Sequence, residues 1–181
     1  MIRLLVLLLP LMASAHPSIE GRLAIANRAV ELNPERAEGF LIRGALFSFH
    51  GDNELAERDF EAAIARKDSV EVRLVVAEHL LRTDRLDKAR EMFEHIVQQD
   101  PGLARAWLGL AKAASAEAHY ARSIESYRSY FRIAVKPEPG YFVGAVQVAA
   151  KHDVVAAREF VTLGIATLGP VPALVRLLES L

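Results

Sequence analysis

The chain has 181 residues, 52% of them apolar and 25% charged, with 22 basic against 23 acidic side chains and no cysteine. So balanced a charge excludes the basic footprint that holds nucleic acid or an acidic membrane surface. The missing cysteines exclude disulfides and a lipid-modified cysteine at an exported N-terminus.

Residues 1–15 carry a single charge, Arg3, then an apolar run from Leu4 to Leu11, then Ala13-Ser14-Ala15 before His16. A basic start, a short apolar stretch and small residues ahead of a polar chain read as a secretory signal peptide. The run falls well short of the roughly 20 residues that span a bilayer, so no stable membrane anchor is expected after cleavage. The expected location is exported, in the periplasm or outside the cell. The mature chain then begins at His16 and, without Arg3, carries 21 basic against 23 acidic residues.

Residues 16–36 read as an N-terminal capping helix, half of a repeat. Leu23, Ala26, Ala29 and Val30 form its apolar stripe, Glu20, Arg22, Asn27, Arg28 and Glu31 its polar side, and Asn33-Pro34 ends it. Residues Ala37 to Asp68 then read as two short helices broken at His50-Gly51-Asp52-Asn53. Phe40, Gly44 and Phe47 share one face of the first, and Ala56, Phe60, Ala63 and Ile64 one face of the second. Helices this short are marginal alone in water and need neighbours of their own kind.

Those neighbours follow at a fixed period. Phe60 lies 33 residues before Phe93, which lies 34 before Tyr127, and Ala56 lies 33 before Ala89. The first copy is Phe40-x2-Arg43-Gly44-x2-Phe47, then Ala56-x3-Phe60 and Asp68. The second is Arg73-x2-Val76-Ala77-x2-Leu80, then Ala89-x3-Phe93 and Pro101. The third is Trp107-x2-Leu110-Ala111-x2-Ala114, then Ser123-x3-Tyr127. The pattern resembles the tetratricopeptide repeat, of about 34 residues with W-x2-L-G-x2-Y, A-x3-F and P. That resemblance implies an all-α fold, an α-α superhelix of antiparallel helix pairs, with helix-pair repeats over residues 37–169. Small residues let two helices approach and large ones fill the gaps beside them. On this reading Ser123 and Tyr130, which replace small residues, leave the third pair more loosely packed or present Tyr130 elsewhere.

Asp52, Asp84 and Asp153 stand where N-caps are needed, and Asn33-Pro34 and Asp100-Pro101 put an acceptor before a proline of the first turn. Lys136-Pro137-Glu138-Pro139-Gly140 is the strongest break. A fourth pair follows, with a first helix near Tyr141 to Lys151 that is apolar almost all round and so covered on more than one side. Its second helix, Val154 to Thr167, carries Ala156-x3-Phe160, and the register between the halves slips by one. Gly140-x3-Gly144 reads as a close helix approach. Residues 170–181 read as a C-terminal capping helix whose Leu174, Leu177, Leu178 and Leu181 share a face.

Signatures of catalysis are absent: the sequence holds no phosphate-binding G-x-x-x-x-G-K, no G-x-G-x-x-G, no H-E-x-x-H and no G-x-S-x-G. No catalytic residue, cofactor or metal site is expected. His50, His119 and His152 fall near turns of successive pairs, and helices packed about 8–10 Å apart hold them too far from one another to share an ion. A second class of function rests on His16, because an N-terminal histidine resembles the copper-binding start of exported copper proteins, where amine and imidazole chelate together.

The repeat resemblance implies instead a non-enzymatic interaction module that binds a peptide or protein partner on a concave face lined by the first helices. The residues one helical step past the buried aromatic turn toward that face. They are Leu41, Ala45 and Phe49 in the first pair, Leu74, Glu78 and Leu81 in the second, and Leu108, Lys112 and Ser115 in the third. Glu78 and Lys112 would set the direction of a bound segment by opposite charge, and the chain's own terminal helix or a second copy of the chain is the alternative cover for the same apolar wall.

Overall fold

A computed structural model describes residues 18–181, which form ten α-helices and no strand. They divide into two compact units, one ending at Asp68 and one running from Ser69 to Leu181.

The first unit holds α1 (Ile19–Leu32), α2 (Ala37–His50) and α3 (Asn53–Arg66). Ser18 opens α1, its hydroxyl accepting the Gly21 N–H at 3.3 Å. Helix α1 lies against α2, close enough that a Cβ on Gly39 would sit 3.2 Å from Val30. Ala26 is buried, the five polar residues of the cap's outer side are exposed, and so are Ile25 and Leu32. Between α2 and α3 the ring of Phe60 occupies the space in front of Gly44, 2.9 Å from where a Cβ would stand. Arg43, at a position the repeat usually gives to leucine, carries its charge into this packing. Its guanidinium donates two 2.7 Å hydrogen bonds to the buried Asp59 carboxylate and one of 3.0 Å to Asn27 on α1. Bidentate geometry of this kind satisfies both charges where water cannot.

The second unit holds α4 (Val70–Arg82), α5 (Leu86–Gln99), α6 (Ala104–Ala116), α7 (Tyr120–Ile133), α8 (Pro139–Ala150), α9 (Val154–Leu168) and α10 (Pro172–Ser180). Phe93, Ile96, Leu110, Phe142, Phe160 and Leu174 are its largest fully buried apolar side chains, each contributing about 1.5–3 kcal/mol by leaving water. The third pair is not loose. The Ser123 hydroxyl is buried but donates to the Ala111 carbonyl at 2.8 Å, and Tyr130 is buried edge-on to Tyr141 with ring centroids 5.6 Å apart. An aromatic fits there because the next helix, α8, brings another aromatic to meet it. Helix α8 is covered by α7, α9 and α10, as its all-round apolar surface requires, and Leu174 of α10 closes on Gly164. Gly144 makes the close approach expected of it, whereas nothing lies within 4 Å of a Cβ on Gly140.

The turns correct two sequence expectations. Asp84 is not a cap but the left-handed residue of its turn, with φ 59°, matching Gly51 at 95° and Ala118 at 61°. At each of the three turns the next N–H closes on the fifth residue back: Asp52 on Phe47, Arg85 on Leu80 and His119 on Ala114, at 2.8–3.0 Å. This bond requires a positive φ whatever the side chain, so the geometry repeats where the residue type does not. Asn33 and Asp100 end α1 and α5 rather than opening the following helices, and the Asp100 carboxylate accepts the Gly102 N–H at 3.0 Å. Asp153 does cap α9, its carboxylate accepting the Ala156 N–H at 3.0 Å. Asp52 occupies the cap of α3 with no side-chain hydrogen bond to the helix. Pro139 opens α8 two residues before Tyr141.

Candidate functional site

In the second unit the first helices of successive pairs, α4, α6 and α8, line two open clefts. One, of about 380 Å³, has Glu78, Leu81 and Arg82 of α4, Arg105, Leu108 and Lys112 of α6, and Tyr141 of α8 on its walls. The other, of about 470 Å³, runs from Lys112 and Ser115 of α6 to Gly144, Gln147 and Lys151 beside α8, with Tyr120 and Tyr127 of α7 behind them. Lys112 belongs to both, and its ammonium stands 5.0 Å from the centroid of the Tyr141 ring. A cation held over an aromatic face keeps a defined position without losing its charge.

Of the wall residues expected from the sequence, Glu78, Leu81, Leu108, Lys112 and Ser115 line these clefts. Leu74 lines neither. It is 4% exposed and belongs with Val72, Val76, Ala77, His79 and Leu80 to a buried face of α4 wider than the stripe read from the sequence. Leu108 is 9% exposed and forms a floor continuous with the core. In the first unit, Leu41 and Ala45 are half-buried on α2 and Phe49 is 80% exposed. Ile42, which the one-step rule passed over, is exposed at helical spacing from Ala45 and Phe49.

The electrostatics differ from the expected pairing of Glu78 with Lys112 across a bound segment. Glu78 is already committed, since Arg105 Nη2 donates to both of its carboxylate oxygens at 2.8 Å and Nε to one of them at 3.2 Å. Among the described lining residues of the two clefts, Arg82, Arg105, Lys112 and Lys151 stand against that one carboxylate. The surface is positive in excess.

Tyr127 is 5% exposed, packed on Phe131 and Phe160, yet it lines the second cleft beside Gly144. A Cβ on Gly144 would stand 3.3 Å from its hydroxyl, so the glycine leaves the way to that oxygen open. Burial pushes the hydroxyl up to about 12, which keeps it protonated and able to donate at neutral pH.

The turn histidines have separate surroundings. His50 Nδ1 is 3.5 Å from Asp52, His119 Nδ1 is 3.9 Å from Glu117, and the His152 ring stacks on Tyr120 at 3.6 Å. His79 was the histidine that sequence reasoning missed. It is 1% exposed and its Nε2 lies 2.8 Å from Arg85 Nη2. A guanidinium only donates, so this nitrogen accepts and the ring is neutral. Its place in the stripe after Val72 and Val76 was the available signal. Among the described residues no three histidine, aspartate or glutamate side chains gather as a metal site, and no helix is long and apolar enough to cross a membrane. The expected signal peptide and His16 lie outside the described residues.

Antiparallel helix pairs of constant period, with shallow clefts along the first helices and no assembled catalytic group among the described residues, define a helix-repeat protein of the α-α superhelix class. A sequence model described as "Tetratricopeptide repeat" matches residues 50–113, the stretch from the end of α2 through most of α6. No curated protein matches the chain in sequence. Among solved structures, it is similar to Pseudomonas aeruginosa PilF, at 18% identity and a TM-score of 0.75 over 90% of this chain and 76% of that one. It is also similar to YrrB, described as a repeat protein of this family with an unusual peptide-binding site, at 15% identity and a TM-score of 0.68 over 90% and 84% of the two chains. MamA of Desulfovibrio magneticus RS-1 has 16% identity and a TM-score of 0.70 over 90% and 87%. At these identities the likeness is one of fold.

Proposed function

We propose that this protein is a non-enzymatic scaffold that holds an extended segment of a partner protein along α4, α6 and α8. The observation that carries this reading is the pair of clefts joined at Lys112, apolar on the floor at Leu81 and Leu108 and charged at the rim. A shallow surface of this kind suits a segment that contributes side chains at intervals better than it suits an enclosed small molecule. The fold neighbour YrrB, described as having a peptide-binding site, supports it. In the first unit, Leu41, Ile42, Ala45 and Phe49 form an apolar patch on α2 that belongs to the same interaction role, since exposed large apolar side chains in one cluster mark contact surfaces. We infer further that residues 1–15 direct export, so that the scaffold works outside the cytoplasm.

Affinity purification of the tagged full chain from the exported fraction tests this. A partner identified by mass should be retained by wild type and lost with Lys112→Glu or Leu81→Asp, both variants keeping the helical circular dichroism of wild type. Equal retention by both variants would place the partner elsewhere. Sedimentation of the purified chain separates the remaining occupant, a second copy: concentration-dependent dimerisation abolished by the same variants would make the surface a self-association face.

A further inference from the structure

We propose that copies of this chain stack head to tail, α10 of one copy packing on α1 of another as the first and second helices of one composite repeat. The first observation is where apolar surface is left uncovered. Among the described residues, eight of the ten exposed large apolar side chains lie in α1, α2, α9 and α10, and only Leu55 and Val135 fall between. A helix array that works alone needs the opposite, a polar outer face on its first and last members. Apolar residues gathered there mark surfaces that another molecule covers.

Equivalent positions in the other pairs say what each surface fits. Leu174-x2-Leu177-Leu178-x2-Leu181 repeats the spacing of Trp107-x2-Leu110-Ala111-x2-Ala114, so α10 is built as a first helix. The counterparts of Leu178, which are Gly44, Ala77, Ala111 and Ala145, are all buried, whereas Leu178 is 44% exposed. Helix α1 is built as a second helix and is open in the matching way. Ile25 is 67% exposed where its counterparts Asp59 and Ser126 are buried, Asp59 against Arg43 on the first helix of its own pair.

Size and charge then fit the two together. In the first pair the small Gly44 faces the ring of Phe60, and Phe93 and Tyr127 hold the same place in the next two. Helix α1 carries Ala26 there, so a large leucine at 178 meets no ring. Arg22 stands at the place of Ser123, whose hydroxyl donates to the carbonyl of Ala111, the counterpart of Leu178. The same geometry brings the exposed Arg22 to the C-terminal carbonyls of α10, whose last turn holds Glu179 and no basic residue. A guanidinium at a helix C-terminus beside a carboxylate is favourable. Arg158 of α9 donates to the Leu181 carbonyl at 2.8 Å, one residue beyond that turn. The two surfaces differ, so the contact joins unlike faces of identical chains.

Sedimentation equilibrium of the full chain, purified without an affinity tag that could cover either surface, tests this. Its weight-average mass should climb with concentration, with a Kd on the order of 100 µM for a contact of this size. Ile25→Glu and Leu178→Glu should each stay monomeric over the same range. An equimolar mixture of the two should form heterodimers, because each variant keeps the surface that the other has lost. Both residues are exposed, and circular dichroism checks that the helices are retained. Arg22→Glu should weaken association about fivefold with the apolar contact intact, and it carries the test if either leucine or isoleucine variant unfolds. A wild-type chain that stays monomeric would overturn the proposal. Association that survives Leu178→Glu but not Ile25→Glu would pair α1 with α1 and overturn it too, as would a mixture of the two variants that stays monomeric. Association kept by Ile25→Glu and lost with Lys112→Glu would move the contact to the groove. Capture of a partner by that groove is a separate measurement, so either reading can fail alone.

Discussion

The ring of Phe93 on α5 fills the space where Gly109 on α6 lacks a side chain, so closely that any Cβ at Gly109 would run into the ring. This joins the second helix of one repeat to the first helix of the next, and Phe93 is fully buried there. Phe93→Ala should cost about 3–5 kcal/mol through the cavity it leaves. Gly109→Ala should cost about 1–3 kcal/mol by overpacking, despite the better helix propensity of alanine. Because both changes act on one contact, the double variant should be less unstable than the sum of the singles, which urea denaturation of the four proteins measures.

The three left-handed turn residues make a second prediction. Gly51 holds φ 95° without strain, while Ala118 holds 61° with a Cβ. Gly51→Ala should lose about 1–2 kcal/mol. Ala118→Gly relieves the same strain, offset by about 0.4–1 kcal/mol of added chain entropy in the unfolded state, so it should be neutral to mildly stabilising. Opposite signs in thermal unfolding would bear this out. Equal destabilisation by both would refute it.

Histidines should divide by burial. His119→Ala, at an exposed turn, should stay within about 0.5 kcal/mol of wild type. His79→Ala removes a buried ring and the acceptor of an Arg85 hydrogen bond, and should cost about 1–3 kcal/mol more. Chemical denaturation compares the two directly.

On the wall of α4 and α6, binding and folding separate by residue. Leu74→Ser puts a hydroxyl and a cavity into a buried site and should cost about 2–5 kcal/mol. Lys112→Glu changes an exposed side chain and should leave stability within about 0.5 kcal/mol while weakening partner capture. Paired melting and pull-down measurements on both variants check the division.

If residues 1–15 are a cleaved leader, intact mass of the exported protein should correspond to a chain beginning at His16. An exported form that still begins at Met1 would remove that proposal without touching the fold.

By itself the sequence determined the helix pairs and their period. The spacing of Ala56-Phe60 and Ala89-Phe93 at 33 residues is a packing rule written in residue size, and α3, α5, α7 and α9 begin 33 or 34 residues apart as it requires. The helix ahead of the first pair, the break before Pro139 and the buried stripe of α6 were legible for the same reason: helical periodicity states which side of a helix is buried. It could not state how many sides. Leu74 passed for a wall residue because one apolar stripe was visible where the buried face of α4 is wider than that stripe. Asp84 passed for a cap because aspartate favours caps, and only the closing of the Arg85 N–H on Leu80 made it a left-handed turn residue. The Glu78–Arg105 clamp and the approach of Gly144 to Tyr127 join residues 27 and 17 positions apart on different helices. The relative height and rotation of two packed helices decide such contacts. Those quantities arise from the fit of whole faces, and no local pattern in the chain encodes them.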